Sequence, residues 1–338
     1  MSRLIVSPGD VDFTSVGRRD YHVKFEHPTL WGHYLVPVTV VVGAAAEAGK
    51  GLVAIGSTHG NEYEGPVAIK HLLHDLDAHT VTGRLILIPV LNASAFAAGT
   101  RDTPDDGMNL NRAFPGDPAG SITRRFAAFI NDQVFPHVHV VIDLHAGGRV
   151  ARFPMVSSFH HVADPEQRRG MEACARGFGV PFVMIYQDQT PGLLTSTAER
   201  LGKITIGSEF GWGMAVNATG VSMSIQGILT AAAVHGIIAG DPPTNAHCPA
   251  AEQKMIDSSN PACSMLAPFA GHFEPIVALG AHVVAGQRLG WLHDFNHIDA
   301  PPHSLDAPHD GYIVCQAWHA EVIKGQVITQ VAIETAWS

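Results

Sequence analysis

With 338 residues, 46% of them hydrophobic and only 15% charged, the chain cannot be read as disordered, and it is long enough for one large domain plus a smaller one. A formal net charge of -10 excludes nucleic acid and anionic membrane as main partners, because neither is attracted by such a field. A small solute is the remaining partner class.

The N-terminal Met1-Ser2-Arg3-Leu4-Ile5-Val6 has no sustained apolar core of a signal peptide, and no apolar run of about 20 residues occurs, so a soluble, cytoplasmic protein is expected. Cys174, Cys248, Cys263 and Cys315 lie far apart without a CxxC pair. Reduced, mostly buried thiols follow from that spacing, not a disulfide framework or a thiolate metal site. The 21 histidines are mostly scattered singly, and scattered histidines are read as solvated or satisfied.

Taken in order, Tyr34–Val42 reads as a strand, expected beside the next apolar run, Leu52–Gly56. That second run is β-branched and small, and it stops at Thr58-His59-Gly60-Asn61-Glu62. A buried parallel strand ending in a polar turn places those side chains at the sheet's C-terminal edge, where open α/β sheets bind ligands. From Glu64, apolar residues recur at three and four through Leu76, which predicts a helix. Arg84–Val90 reads as a further strand and completes a strand-helix-strand unit. Residues 92–121 form a long Gly-, Asp- and Pro-rich loop, a length usually associated with function. A helix is predicted over 122–135, a strand over 138–145, a helix over 165–178, a strand over 181–186, a helix over 193–201, a strand over 204–209 and a long apolar helix over 221–238. This alternation predicts an α/β fold, a mostly parallel sheet covered by helices.

Asp241-Pro242-Pro243-Thr244 breaks the pattern, giving an expected catalytic domain at 1–241 and a small β domain at 242–338. Within the latter, Val283–Leu289 is echoed by Val322–Ile328, which suggests two related hairpin units. The segment resembles a biotinyl/lipoyl-type barrel without the Met-Lys-Met hairpin of a carrier, and it is expected to shape the site entrance.

The chemistry gathers at strand ends. His59 and Glu62, with His145 closing Asp143-Leu144-His145, make a His2Glu set that leaves a position open on a catalytic zinc. The bland alternative is a turn-capping His59 and a His145 that satisfies a strand end. Glu209, at the end of the Ile204 strand, suits a general acid/base beside an activated water; otherwise it is a Glu opening a loop. Arg101 could stabilise an oxyanion, and the Asn111-Arg112 pair could grip a carboxylate. Equally, Arg112 could pin its loop through Asp105, Asp106 or Asp117. Asp143 is either a partner of a ligand histidine or a strand-end acceptor.

These residues carry a resemblance. His59-Gly60-Asn61-Glu62, Asn109-Leu110-Asn111-Arg112-Ala113-Phe114-Pro115-Gly116, Asp143-Leu144-His145 and Glu209 together look like the succinylglutamate desuccinylase/aspartoacylase family, amidohydrolases related to the zinc carboxypeptidases. The likeness covers about residues 35 to 338. It implies one zinc per chain held by His59, Glu62 and His145, with Glu209 as general acid/base and Arg101 as oxyanion stabiliser. Asn111 and Arg112 would bind a substrate carboxylate. Gly99–Gly107 followed by Asn109-Leu110-Asn111-Arg112 looks most like the branch of N-acetyl-diaminobutyrate deacetylases, where Asp102, Asp105 and Asp106 would offer an acidic setting for a substrate amine. The expected activity is hydrolysis of the amide bond of an N-acyl amino acid. Two alternatives stand beside it, a carboxypeptidase-like peptidase acting on short peptides and a non-catalytic metal or ligand binder. The sequence leaves the oligomeric state open, a homo-oligomer included.

Overall fold

The computed structural model describes residues 4–27, 31–186 and 190–337. Its first half runs β1 (Leu4–Val6), β2 (Gly17–Glu26), β3 (His33–Val42), β4 (Leu52–Gly56), α1 (Glu64–Asp75), β5 (Arg84–Ile88), α2 (Ala93–Ala98), α3 (Ile122–Ala128) and β6 (Val140–Leu144). Then come β7 (Ala151–Arg152), β8 (Val156–His160), α4 (Pro165–Arg176), β9 (Phe182–Tyr186), α5 (Leu194–Arg200), β10 (Ile204–Glu209), α6 (Ala218–Val234) and β11 (Lys254–Asp257). The remaining strands are β12 (Ser264–Leu266), β13 (Gly271–Pro275), β14 (His282–Val283), β15 (Arg288–His293), β16 (His303–Asp306), β17 (Gly311–Ala317), β18 (Glu321–Val322) and β19 (Val327–Thr335).

The main sheet has the order β1-β2-β3-β5-β4-β6-β10-β8-β9-β11-β19-β17-β14. Its centre, β5-β4-β6-β10, is parallel, while β3 and β8 run antiparallel to their neighbours β5 and β10, so the sheet is mixed. β3 therefore does not lie beside β4 as expected, because β5 separates them. Strands β4, β5 and β6 are buried at every position, which is why they read as unbroken apolar runs. Alternate residues feed two cores. Leu52, Ala54, Val140 and Ile142 face α1, α4 and α6, through Leu72, Met171, Cys174 and Ala231. Val53, Ile55, Ile86 and Val141 face α3 and α5, through Phe126, Leu194 and Ala198.

β2 and β8 are strands that the sequence pattern did not announce. In β8, Val156-Ser157-Ser158-Phe159-His160 lacks an apolar alternation, yet every residue is buried. The expected boundary near residue 241 is crossed by the sheet itself, since β11 pairs in parallel with β9 and antiparallel with β19. Beyond β11 the strands divide between this sheet and a four-stranded one, β16-β15-β13-β18, and no closed barrel is found among the described residues. The internal echo is real at the level of turns. In one copy Gln287 N donates to Val284 O (2.9 Å), and in the other Gln326 N donates to Ile323 O (3.1 Å). Gly286 and Gly325 occupy equivalent left-handed positions at φ 77° and 84°. Among the described residues no helix is long and apolar enough to cross a membrane.

Candidate active site at the C-terminal strand edge

β4, β6 and β10 are parallel neighbours, so the residues that follow them emerge at one edge. β4 delivers its motif through Ser57, whose backbone is left-handed at φ 55°, a conformation costly for a residue with a side chain. Gly60 is required next. A Cβ there would sit 2.0 Å from the Ala95 carbonyl carbon of α2, a contact no rotamer change can relieve.

That turn brings His59, Glu62 and His145 together, and one potential ligand atom from each lies within 4.8 Å of the others. The Nδ1 atoms of His59 and His145 face the two oxygens of Glu62 at 2.9 and 2.8 Å. Their far nitrogens are held in turn, His145 Nε2 by Asp143 Oδ2 at 2.8 Å and His59 Nε2 by Asn109 Oδ1 at 3.2 Å. Asp143 is fully buried and its other oxygen accepts from Thr58 Oγ1 at 2.6 Å. Such outer partners fix which ring nitrogen points inward, as in metal sites. Burial alone would raise the Glu62 carboxyl, but the two imidazoles hold it well below the usual range. His145 is raised despite burial, because Asp143 and Glu62 both favour its imidazolium. Two imidazoles and a carboxylate with oriented outer partners fit a zinc-type donor set, so the three residues could hold a metal ion.

Around the cluster lies a cavity of about 300 Å³, lined among others by His59, His145, Arg101, Asn111, Arg112 and Glu209. All seven residues singled out in the sequence are thus close neighbours, Glu62 lying buried behind His59 and His145. Glu209 projects from β10 with its Oε2 buried and without a hydrogen-bond partner. Burial, and then the charge of Glu62, push its carboxyl up to about 8. Arg101 Nη1 donates to Glu62 Oε1 at 3.1 Å. Arg112 stands exposed at the rim, and its Nη1 donates to Asn111 O at 2.6 Å. Its guanidinium is lowered by burial of its inner portion and by Arg101 beside it. Among the described residues no ion pair joins Arg112 to Asp105, Asp106 or Asp117. Asn111 Oδ1 accepts from Leu194 N at 2.8 Å, which turns its amide NH2 toward His145. His145 Nε2 already donates to Asp143, so that NH2 remains available to a ligand.

Two of the three loop aspartates, Asp105 and Asp106, are engaged elsewhere, while the charge of Asp102 acts on Arg112. Asp105 accepts from Tyr34 Oη (2.8 Å) and Ser94 Oγ, and Asp106 caps α3 through Thr123 N (3.1 Å) and Thr123 Oγ1 (2.7 Å). None of Asp102, Asp105 and Asp106 lines the cavity. Its inner wall instead comes from Ser158 and His160 on β8 and Tyr186 on β9. These residues were missed because β8 was not recognisable as a strand. The polar alternation of Ser158 and His160 was the signal available.

A cavity at the C-terminal edge of a mixed α/β sheet, holding a His-Glu-His cluster, a buried carboxyl and two arginines, defines a hydrolase site. The sequence model of the succinylglutamate desuccinylase/aspartoacylase catalytic domain matches residues 48–234. The N-alpha-acetyl-L-2,4-diaminobutyric acid deacetylase of Halomonas elongata is 33% identical over 95% of this chain and 93% of its own length. Among solved structures, a succinylglutamate desuccinylase/aspartoacylase from Rhodobacter sphaeroides superposes with TM-score 0.90 at 30% identity, over 97% of this chain and 98% of that one. The product-bound ectoine utilization protein EutE (DoeB) of Ruegeria pomeroyi superposes with TM-score 0.86 at 26% identity, over 96% and 98%. The chain belongs to the succinylglutamate desuccinylase/aspartoacylase family and is an amide hydrolase acting on non-peptide carbon–nitrogen bonds.

Proposed function

We propose that the protein is a zinc-dependent deacylase of N-acyl amino acids, and that N-acetyl-diaminobutyrate is its substrate. The observation that carries this reading is the convergence of His59, Glu62 and His145 with Glu209 and both arginines on one cavity. Similarity to the Halomonas deacetylase supports the choice of substrate.

His59, Glu62 and His145 would hold the zinc, whose chemistry is to polarise the acyl carbonyl and activate a water. The chain's own groups do the rest. Glu209, a lining residue whose buried Oε2 has no hydrogen-bond partner among the described residues, takes the proton of the attacking water and returns it to the leaving amine. Arg101 donates to the developing oxyanion, and Glu62 keeps its guanidinium in place. Arg112 and the Asn111 amide bind the α-carboxylate at the rim. The segment 242–338 shapes the entrance. Trp318 packs where a Cβ on Gly213 would meet its ring at 2.8 Å, and Trp318 N donates to Val150 O at 3.2 Å.

The test compares chelator-stripped and zinc-restored protein on N-acetyl-diaminobutyrate, N-acetylaspartate and N-succinylglutamate. The expected result is zinc-dependent release of acetate, fastest from the first. No metal-dependent release of any acid from N-acyl amino acids would refute the proposal.

A further inference from the structure

The cavity of the candidate site is lined by basic side chains and by residues of the sheet. Arg101 and Arg112 are the only arginine or lysine side chains lining it among the described residues, and Arg112 stands at the exposed rim. The inner end is formed by the sheet. Gly207 of β10 pairs with Asp143 on one side and Ser158 on the other, and Ser158 pairs with Met184 of β9. Two residues further along β8, about 7 Å by strand rise, the row ends in His160 paired with Tyr186.

His160 is buried, and its Nδ1 lies 3.0 Å from Glu199 Oε1, which also accepts from Thr205 Oγ1 at 2.6 Å. The Glu199 side chain is completely buried, and its other oxygen has no hydrogen-bond partner among the described residues. A carboxylate oxygen accepts from an imidazole N–H, and in the tautomer whose Nδ1 carries that hydrogen Nε2 presents a lone pair. That nitrogen has no partner among the described residues, although His160 lines the cavity. A lone pair backed by a buried carboxylate is a seat for a cation. A second substrate carboxylate here would meet a lone pair and the Glu199 carboxyl, while Arg101 is held on Glu62 and Arg112 stands at the exposed rim.

We propose that His160, held in place by Glu199, is the specificity-determining residue that receives a side-chain ammonium of the substrate, so that the site selects N-acylated diamino acids. This rests on the deacylase reading above. It also supplies the amine contact that Asp105 and Asp106 do not make. His160 touches the substrate, and Glu199 is a positioning residue that acts through it.

The test uses the full-length zinc-loaded enzyme. Steady-state kinetics are measured on Nα-acetyl-2,4-diaminobutyrate and on N-acetylnorvaline, which has a methyl in place of the ammonium, and binding of free diaminobutyrate is followed by calorimetry. The wild type should favour the ammonium substrate by at least about tenfold in kcat/KM, as sites built to bond a polar group do. In His160→Leu and Glu199→Gln this preference should collapse to about threefold or less, through KM more than kcat, and diaminobutyrate should bind about tenfold more weakly. In His160→Gln, whose amide oxygen can replace the lone pair, part of the preference should return. A preference that survives both His160→Leu and Glu199→Gln overturns the assignment and leaves the deacylase reading standing. Equal losses on both substrates, with unchanged diaminobutyrate binding, reduce the pair to a packing role and overturn it as well. No turnover of any N-acyl amino acid refutes the deacylase reading and this inference together.

Discussion

Glu209 and Asp143 are both buried carboxyls in one site, and their surroundings divide their work. Asp143 spends its oxygens on Thr58 and His145, whereas Glu209 Oε2 has no hydrogen-bond partner among the described residues. Glu209→Gln keeps the shape and removes the proton carrier. Turnover should fall by about 10²- to 10⁴-fold while zinc content, read by atomic absorption, stays at one per chain. Asp143→Asn should act differently, because an amide NH2 can donate to His145 Nε2 and reverse its tautomer. Zinc affinity, measured by competition with a chelator, should weaken about 10- to 100-fold. The candidate ligands His59 and His145 stood out in the sequence because each follows an apolar strand with a polar residue. Asn109, which holds His59, and Glu199, which holds His160, did not, since a partner supplied from a distant segment leaves no local spacing to read.

Elements are positioned by close backbone contact as much as by apolar burial. Gly60 lets the turn after β4 lie directly on α2, so Gly60→Ala must push the two apart and displace His59. Reduced zinc binding together with a lower melting temperature is the expected outcome, both read on one purified sample. At the opposite edge of the sheet, His139 Nδ1 accepts from Gly51 N (3.0 Å), His139 Nε2 meets His235 Nδ1 (3.2 Å), and His235 Nε2 meets Cys174 Sγ (3.3 Å). Burial, with His139 adding to it, pushes His235 down to about 4. The unfolded chain therefore binds more protons than the folded one between about pH 4 and the ordinary histidine range near 6.5, and stability falls as pH drops through that window. A thermal series should show the melting temperature declining from pH 7 to 4, with a shallower decline in His235→Gln. Strands buried on both faces, β4, β5 and β6, were read correctly because their burial leaves no polar residue to interrupt the run. β8 was not, because its buried face is an active-site wall, and a wall must be polar.

For the whole molecule, the sequence pattern suggested a catalytic domain at 1–241 and a small β domain at 242–338, and the main sheet runs across that boundary. β11 lies between β9 and β19, and Phe182, Met184 and Ile256 pack with Val314 and Ala332. The proline-rich break near residue 241 marks a change of local pattern, and hydrogen bonds across it carry no sequence signal. Truncation after residue 241 should expose the β9 edge and give aggregated protein, and differential scanning calorimetry of the intact chain should show one transition rather than two; a soluble, active fragment would overturn this. The position of β19 between β11 and β17 also bears on synthesis. Roughly the first 250 residues leave the ribosome with their catalytic side chains already encoded, but the β11 edge has no partner until Val327–Thr335 has followed. A nascent chain of this protein therefore carries an open, apolar strand edge while the stretch from Asp257 to Val327 is translated, and is a natural client for chaperones that shield such edges.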